Sequence, residues 1–165
     1  MSDRLEESLK PIGSVYGEIE YKDGKKTYFE HKNTVLSKGR QALASSLANS
    51  FTGDYNFYIS RMIFGDGGTS GGTKRIINTN RTGLYGVARA TKPVMAMIDA
   101  NMPTQAIFTS VLTFSDANSS TLNEMALVMS NDDFYSMVTF PDLNKTSDMQ
   151  ITFNWRLSFV WKIIG

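Results

Sequence analysis

The run Gly65-Asp66-Gly67-Gly68-Thr69-Ser70-Gly71-Gly72-Thr73 is the one stretch whose backbone amides could cradle a phosphate. It fails the residue test for that chemistry. Lys74 lies at a usable distance from Gly68, but Arg75 stands where a phosphate loop needs serine or threonine. No amphipathic helix follows to turn its N-terminus towards an anion. The run reads as a surface loop. His31 is the only histidine and there is no cysteine, so His-pair and thiolate metal sites have no ligands. A serine nucleophile would need a base, and His31 falls in a hairpin beside Tyr16, where it reads as a surface imidazole. The acids are dispersed. Asp54, Asp66 and Asp132 could each offer a loop carboxylate to a cation, but no spaced series of ligands surrounds any of them. No pair of carboxylates stands out for glycoside chemistry. The expectation is a protein that is not an enzyme, with no catalytic residues, cofactor or bound metal.

Two arginines sit in apolar surroundings and need an explanation. Arg61 shares a strand face with Phe57, Ile59 and Ile63, and Glu124 is the obvious carboxylate to neutralise it. Arg156 falls on the polar side of its strand, where exposure or an intersubunit ion pair accounts for it.

The chain of 165 residues is long enough for one domain with a real core. Its formal net charge of +1 gives no electrostatic case for nucleic acid or an anionic membrane, so neither is expected as a partner. No run approaches the ~20 apolar residues of a membrane-spanning helix, and Met1–Lys10 is charged throughout.

The elements that would position these residues are mostly strands. Met149, Ile151, Phe153, Trp155, Leu157, Phe159, Trp161 and Ile163 alternate with Gln150, Thr152, Asn154, Arg156, Ser158, Val160 and Lys162. Period two with one apolar side predicts a long strand at the centre of a sandwich core, or one whose end reaches a neighbouring subunit. Residues 1–11 read as an N-terminal arm. Residues 12–33 read as a peripheral β-hairpin about Asp23-Gly24. A two-residue turn there sets Ile19 opposite Tyr28, Glu18 opposite Phe29 and Tyr16 opposite His31. Neither face is then cleanly apolar, which suggests cover from a partner subunit.

Residues 34–165 read as a β-rich domain. One helix is expected over residues 37–50, capped by Ser37 and carrying a stripe of Leu36, Leu43, Leu47 and Phe51. Gly39 in its first turn is a tolerable weakness. Strands are expected over 57–64, 84–90, 94–98, 105–114, 122–129 and 134–140, with 65–83 as a long loop too rich in Gly and Asn to bury a face. Helices do not alternate with strands, which argues against βαβ units. The fold class is mainly β: an antiparallel β-sandwich or barrel-like sheet of about eight strands with one amphipathic helix and an N-terminal hairpin arm.

Several stretches together resemble a known family. GRQALASSLANS followed by YISRMIFGDGG is similar to the opening of phage tail-collar and tail-fibre N-terminal proteins, where a helix leads into a strand ending in a Gly-Asp-Gly loop. LNEMALV, then TFPDLNKT, then FNWRLSFVW resembles the ending of such virion proteins. The likeness covers roughly residues 38–66 and 122–161. It implies a bacteriophage virion structural protein, a homo-oligomer that joins other tail, neck, fibre or capsid subunits within the virion, after assembly in the host cytoplasm. Those collar proteins often continue into a fibre shaft, whereas this sequence stops at Gly165. That favours a tail, neck, collar or baseplate adaptor, with capsid decoration on the phage head as the alternative.

The expected interface residues are Tyr16, Tyr21, Tyr28 and Phe29 on the hairpin, with Trp161 and Ile163 on the last strand. A carbohydrate- or receptor-binding module is a competing reading, for which Tyr55, Phe57 and Tyr58 would supply the aromatic platform.

Overall fold

The computed structural model describes residues 6–48 and 57–164, with side chains placed between residues 12 and 159 of those spans. The elements run in order as β1 (Glu6–Tyr21), β2 (Lys26–Lys32), β3 (Thr34–Val35), α1 (Ser37–Ala48), β4 (Ile59–Gly65), β5 (Thr69–Ser70), β6 (Thr73–Lys74), β7 (Ala88–Pro93), β8 (Met95–Asp99), β9 (Met102–Leu112), β10 (Ser120–Met129), β11 (Phe134–Lys145) and β12 (Met149–Ile164). Two five-stranded antiparallel sheets form, in the orders β2-β1-β12-β9-β8 and β3-β11-β10-β4-β7, with β5 and β6 as a small separate ladder. Neither five-stranded sheet closes on itself, so the architecture is a β-sandwich.

The alternation in the last strand does what its period dictates. Ile151, Phe153, Trp155 and Leu157 are buried, while Arg156 between them is exposed. β12 lies in the middle of its sheet, paired with β1 from Glu6↔Ile164 to Tyr21↔Met149 and with β9 from Ile151↔Leu112 to Ser158↔Gln105. Its apolar side meets Met62, Phe64, Met125, Leu127, Val138 and Phe140 of the other sheet in one core. A single buried side chain of this size contributes about 1.5–3 kcal/mol, so these four residues make β12 a major donor to stability.

The second sheet is covered on both sides. Beyond it, Ala126, Val128, Met137 and Leu36 form another buried cluster, packed under Ile77, Leu84 and Tyr85. The segment expected as a featureless loop therefore holds a two-residue ladder and then a third layer over β10 and β11. Its few apolar residues suffice because they lie on strands that are already apolar on both faces.

The hairpin differs from its expected register by one residue. Three residues, not two, form the loop: Tyr21 N–H donates to Lys25 O at 2.9 Å, and Gly24 N–H donates to Tyr21 O at 2.8 Å. Gly24 takes φ +88°, the left-handed geometry of a bulged three-residue hairpin turn. Glu18 now faces Tyr28, Tyr16 faces Glu30 and Val15 faces His31. A slip of one residue moves every side chain to the other face. Val15, Ile19 and Phe29 thus form one apolar side against the core, and the mixed-face argument for a covering partner falls away. Residues 6–11, expected as a separate arm, continue β1 in register with β12. β1 is bonded on both sides, to β2 and to β12.

The helix is shorter on its buried side than its leucines suggested. Gly39 and Ala42 are its buried residues, Leu43 packs partly on the core, and Leu47 is 89% exposed. Phe51 lies outside the described residues. Ser37 is not the cap: Leu36 O accepts the first helical bond from Arg40 N–H, and Ser37 Oγ bonds Asn80 Oδ1 instead.

One segment passes between the sheets. β7 pairs with β4 as far as Pro93↔Arg61, and β8 then pairs with β9 from Met95↔Thr109. Val94 N–H still donates to Ser60 O at 3.3 Å, and the chain then crosses to the other sheet.

Candidate functional site

Polar residues from the two halves of the family resemblance meet at one joint. Glu124, fully buried on β10, accepts backbone N–H groups from Gly67 at 2.9 Å and Gly86 at 2.8 Å on Oε1, and from Tyr85 at 2.8 Å on Oε2. Asn123 beside it accepts Gly68 N–H at 2.7 Å and donates to Thr69 Oγ1 and Asp142 Oδ1. A side chain on Gly68 would run into the backbone of Asn123, so the loop can lie this close only as glycine. Adjacent residues on a strand point to opposite faces, yet both of these find loop amides because the Gly65–Gly68 chain wraps the bulged end of β10. A carboxylate that accepts three amides is satisfied without a cation beside it.

Asp66, from the same Gly-Asp-Gly turn, accepts Val87 N–H at 2.8 Å and pairs with Arg89 at 2.5 Å. The Val87 amide, reinforced by Arg89 and opposed by burial, holds its carboxyl below the usual range. Asp132 is engaged by Arg61 at 2.7 Å. The expected Arg61–Glu124 pair does not form: Arg61 turns to the 130–133 loop, and Glu124 serves amides instead. Two of the three carboxylates considered for a loop cation are therefore occupied by arginines, and Asp54 lies outside the described residues. Among the described residues no group of three His, Cys, Asp or Glu side chains is arranged to hold a metal ion.

A second polar joint lies at the very start of β10, where Ser120 pairs with Lys145. Its side chain is fully buried, and Nζ donates to Asn118 Oδ1 and Thr146 O, both at 3.0 Å. Burial pushes the ammonium down from its ordinary value, and the nearby Asp116 partly offsets this. Asp116 itself is bound by Lys92 at 2.6 Å and by Thr113 through both N–H and Oγ1. Burial, the strongest single influence, works against ionisation. The Lys92 and Thr113 bonds together outweigh it and bring Asp116 to about 2. Sequence reasoning missed this joint because Lys145, in a run of polar residues, has the look of a surface cation.

His31 stacks between Phe29, 5.3 Å away, and Phe140, 5.4 Å away. Burial lowers its pKa below 6.5, Lys74 adds to this, and Glu30 opposes it. The unfolded chain therefore takes up this proton first, and stability falls as pH drops below about 6.5. Asp116 acts lower: its stabilisation is present above pH 3.8 and disappears between 3.8 and about 2, on the order of 1–2 kcal/mol. Urea midpoints should thus decline in two steps on acidification, and His31→Phe should remove the upper one. Parallel decline of wild type and His31→Phe between pH 7 and 5 would show that His31 is not responsible.

The expected interface residues scatter. Tyr28 is 71% exposed on the outer face of the first sheet. Tyr16, also on that face, lies under the Arg156 guanidinium at 5.3 Å. Tyr21 is half-buried, and Phe29 turns inward, edge-on to Phe153 at 5.8 Å. The backbones of Trp161 and Ile163 pair with Leu9 and Glu7, while their side chains lie outside the described residues. Of the supposed aromatic platform, Tyr55 is outside the described residues, Phe57 packs on the core, and Tyr58 is exposed.

A different surface carries the exposed apolar residues. Met95, Met97 and Ile98 on β8 and Met102 at the start of β9 are all half or more exposed. β8 is an outer strand of its sheet. Its period is not amphipathic, so no pattern in the sequence separated it from a buried strand. No helix among the described residues is long and apolar enough to cross a membrane. No family model matches the chain, and no curated protein or solved structure is significantly similar to it.

Proposed function

We propose that this protein is a bacteriophage virion structural protein, an oligomerising tail, neck or collar adaptor that joins other particle subunits and catalyses no reaction. The observation that carries the reading is the Asn123–Glu124 joint. The two halves of the family resemblance, Gly65-Asp66-Gly67-Gly68 and Asn123-Glu124, lie far apart in sequence and bond directly to each other. Residues that match separately in sequence thus act as one packing unit. Lys145 and Thr139, from the same resemblance, hold a turn and the Arg75 carbonyl in the same manner. Asn123, Glu124, Thr139 and Lys145 of the pattern are all spent on fixing loops and turns to the sandwich, as suits a rigid building block.

The test is the composition of phage particles from the host that expresses this chain. Gradient-purified particles should contain it in a fixed copy number, and antibody-gold should mark the tail or neck. Gold on the head would transfer the role to capsid decoration. Particles that lack the protein at every stage of purification would overturn the virion reading.

A further inference from the structure

We propose that β8 is the contact through which two copies of this chain join, antiparallel about a twofold axis, so that the sheet β2-β1-β12-β9-β8 continues into its copy. The inference rests on the reading of the protein as an assembling subunit and names the surface that assembles.

An outer strand presents unpaired N–H and C=O groups, and proteins blunt such edges with charge, proline or brevity. Three of the four outer strands here are blunted. β2 carries Lys26, Glu30 and Lys32. β7 carries Arg89, Lys92 and Pro93. β3 is two residues long. β8 has none of these from Met95 to Ile98, and its residues there are exposed on both faces. Ile98 points to the inner side of the sheet, opposite Ala106, yet is 60% exposed. Whatever covers β8 must be an extended strand, and it must be apolar above and below.

A second β8 meets both requirements. With Met97 on the twofold axis, Ala96 of each copy stands opposite Ile98 of the other, small against large, and no like charges meet. The same register sets Asp99, at the end of each β8, level with Met95 of the other copy. The three exposed side chains of β8, Met95, Met97 and Ile98, offer on the order of 350 Å² per copy, below the standard interface size, which makes the pair weak and concentration-dependent.

The experiment uses the full chain, which has no cysteine. Met97→Cys should give a covalent dimer on mild oxidation, whereas Tyr28→Cys, exposed near the other edge of the same sheet, should not. By sedimentation velocity between roughly 1 and 200 µM, the wild type should self-associate, and Met97→Lys should weaken association at least ~10-fold by setting two ammonium groups face to face. Because Met97 is exposed, its thermal midpoint should not change. A wild-type oligomer indifferent to Met97→Lys, with Met97→Cys uncrosslinked, would overturn the β8 contact and leave the assembling reading standing. A wild type that stays monomeric, with Met97→Cys no more crosslinked than Tyr28→Cys, would overturn the contact, and the particle-composition test would then decide the reading by itself.

Discussion

Glu124→Ala should lose about 3–5 kcal/mol of folding stability, and its thermal midpoint should fall by on the order of 10 °C. The substitution removes one fully buried acceptor and leaves three part-buried N–H donors, those of Gly67, Tyr85 and Gly86, without their partner. An unpaired buried donor costs about 1–3 kcal/mol, and relaxation of the glycine-rich loop recovers part of the sum. Glu124→Gln keeps one oxygen acceptor but turns an N–H₂ group towards an amide, so its loss should be about half as large. The loop should then open: amide exchange at Gly67 and Gly86 should quicken far more than exchange in β12. Denaturation in urea with either variant measures the first effect. A loss below ~1 kcal/mol for Glu124→Ala would mean that the joint is ornamental, and with it the observation behind the proposed function.

Removing residues 1–32 should abolish cooperative folding. These residues read in sequence as an arm and a peripheral hairpin, and their deletion would seem a clean way to test assembly. In the fold the cut removes β2 and the interior strand β1, with the fully buried Val15 and the Phe29 ring that covers Phe153. One whole edge of β12 loses its partner along its length. The truncated chain should show no sharp unfolding transition by circular dichroism and should be digested rapidly by protease. A truncated chain that still unfolds cooperatively would restore the hairpin to the status of a dispensable arm.

Where the sequence carried a strong period, it led to the right element. β12 follows from eight alternating apolar residues, and the β10–β11 hairpin from two apolar runs around Ser130–Asp133. The sandwich class followed from these. The misses have local causes. The β1–β2 register turned on one residue, because Asp23-Gly24 suits both two- and three-residue loops: both set Gly24 at positive φ, and only the two-residue turn needs Asp23 there too, which it is not. Helix α1 kept its place but not its buried face, since a glycine and an alanine approach the start of β11 more closely than its leucines can. Arg61 found Asp132 rather than Glu124 because Glu124 was already bound by three amides, which no pattern of side chains reveals. Of the expected interface, Tyr28 and Tyr16 are exposed as a surface contact requires, but Phe29 belongs to the core. β8 escaped notice because exposure of a short apolar strand is decided by what lies across from it.

The pairing of β1 with β12 also sets a timetable for synthesis. Every strand of the second sheet has been made by Lys145, and its β10–β11 hairpin closes over a loop of a few residues. The first sheet must instead bring together strands separated by roughly 130 residues, about 3 kcal/mol more costly in loop entropy. A ribosome therefore exposes one finished sheet, with Met62, Phe64, Leu127 and Phe140 uncovered on its inner side, until β12 has emerged. During that interval the nascent chain carries uncovered apolar surface, and it is then, rather than as the finished sandwich, that aggregation competes most with folding.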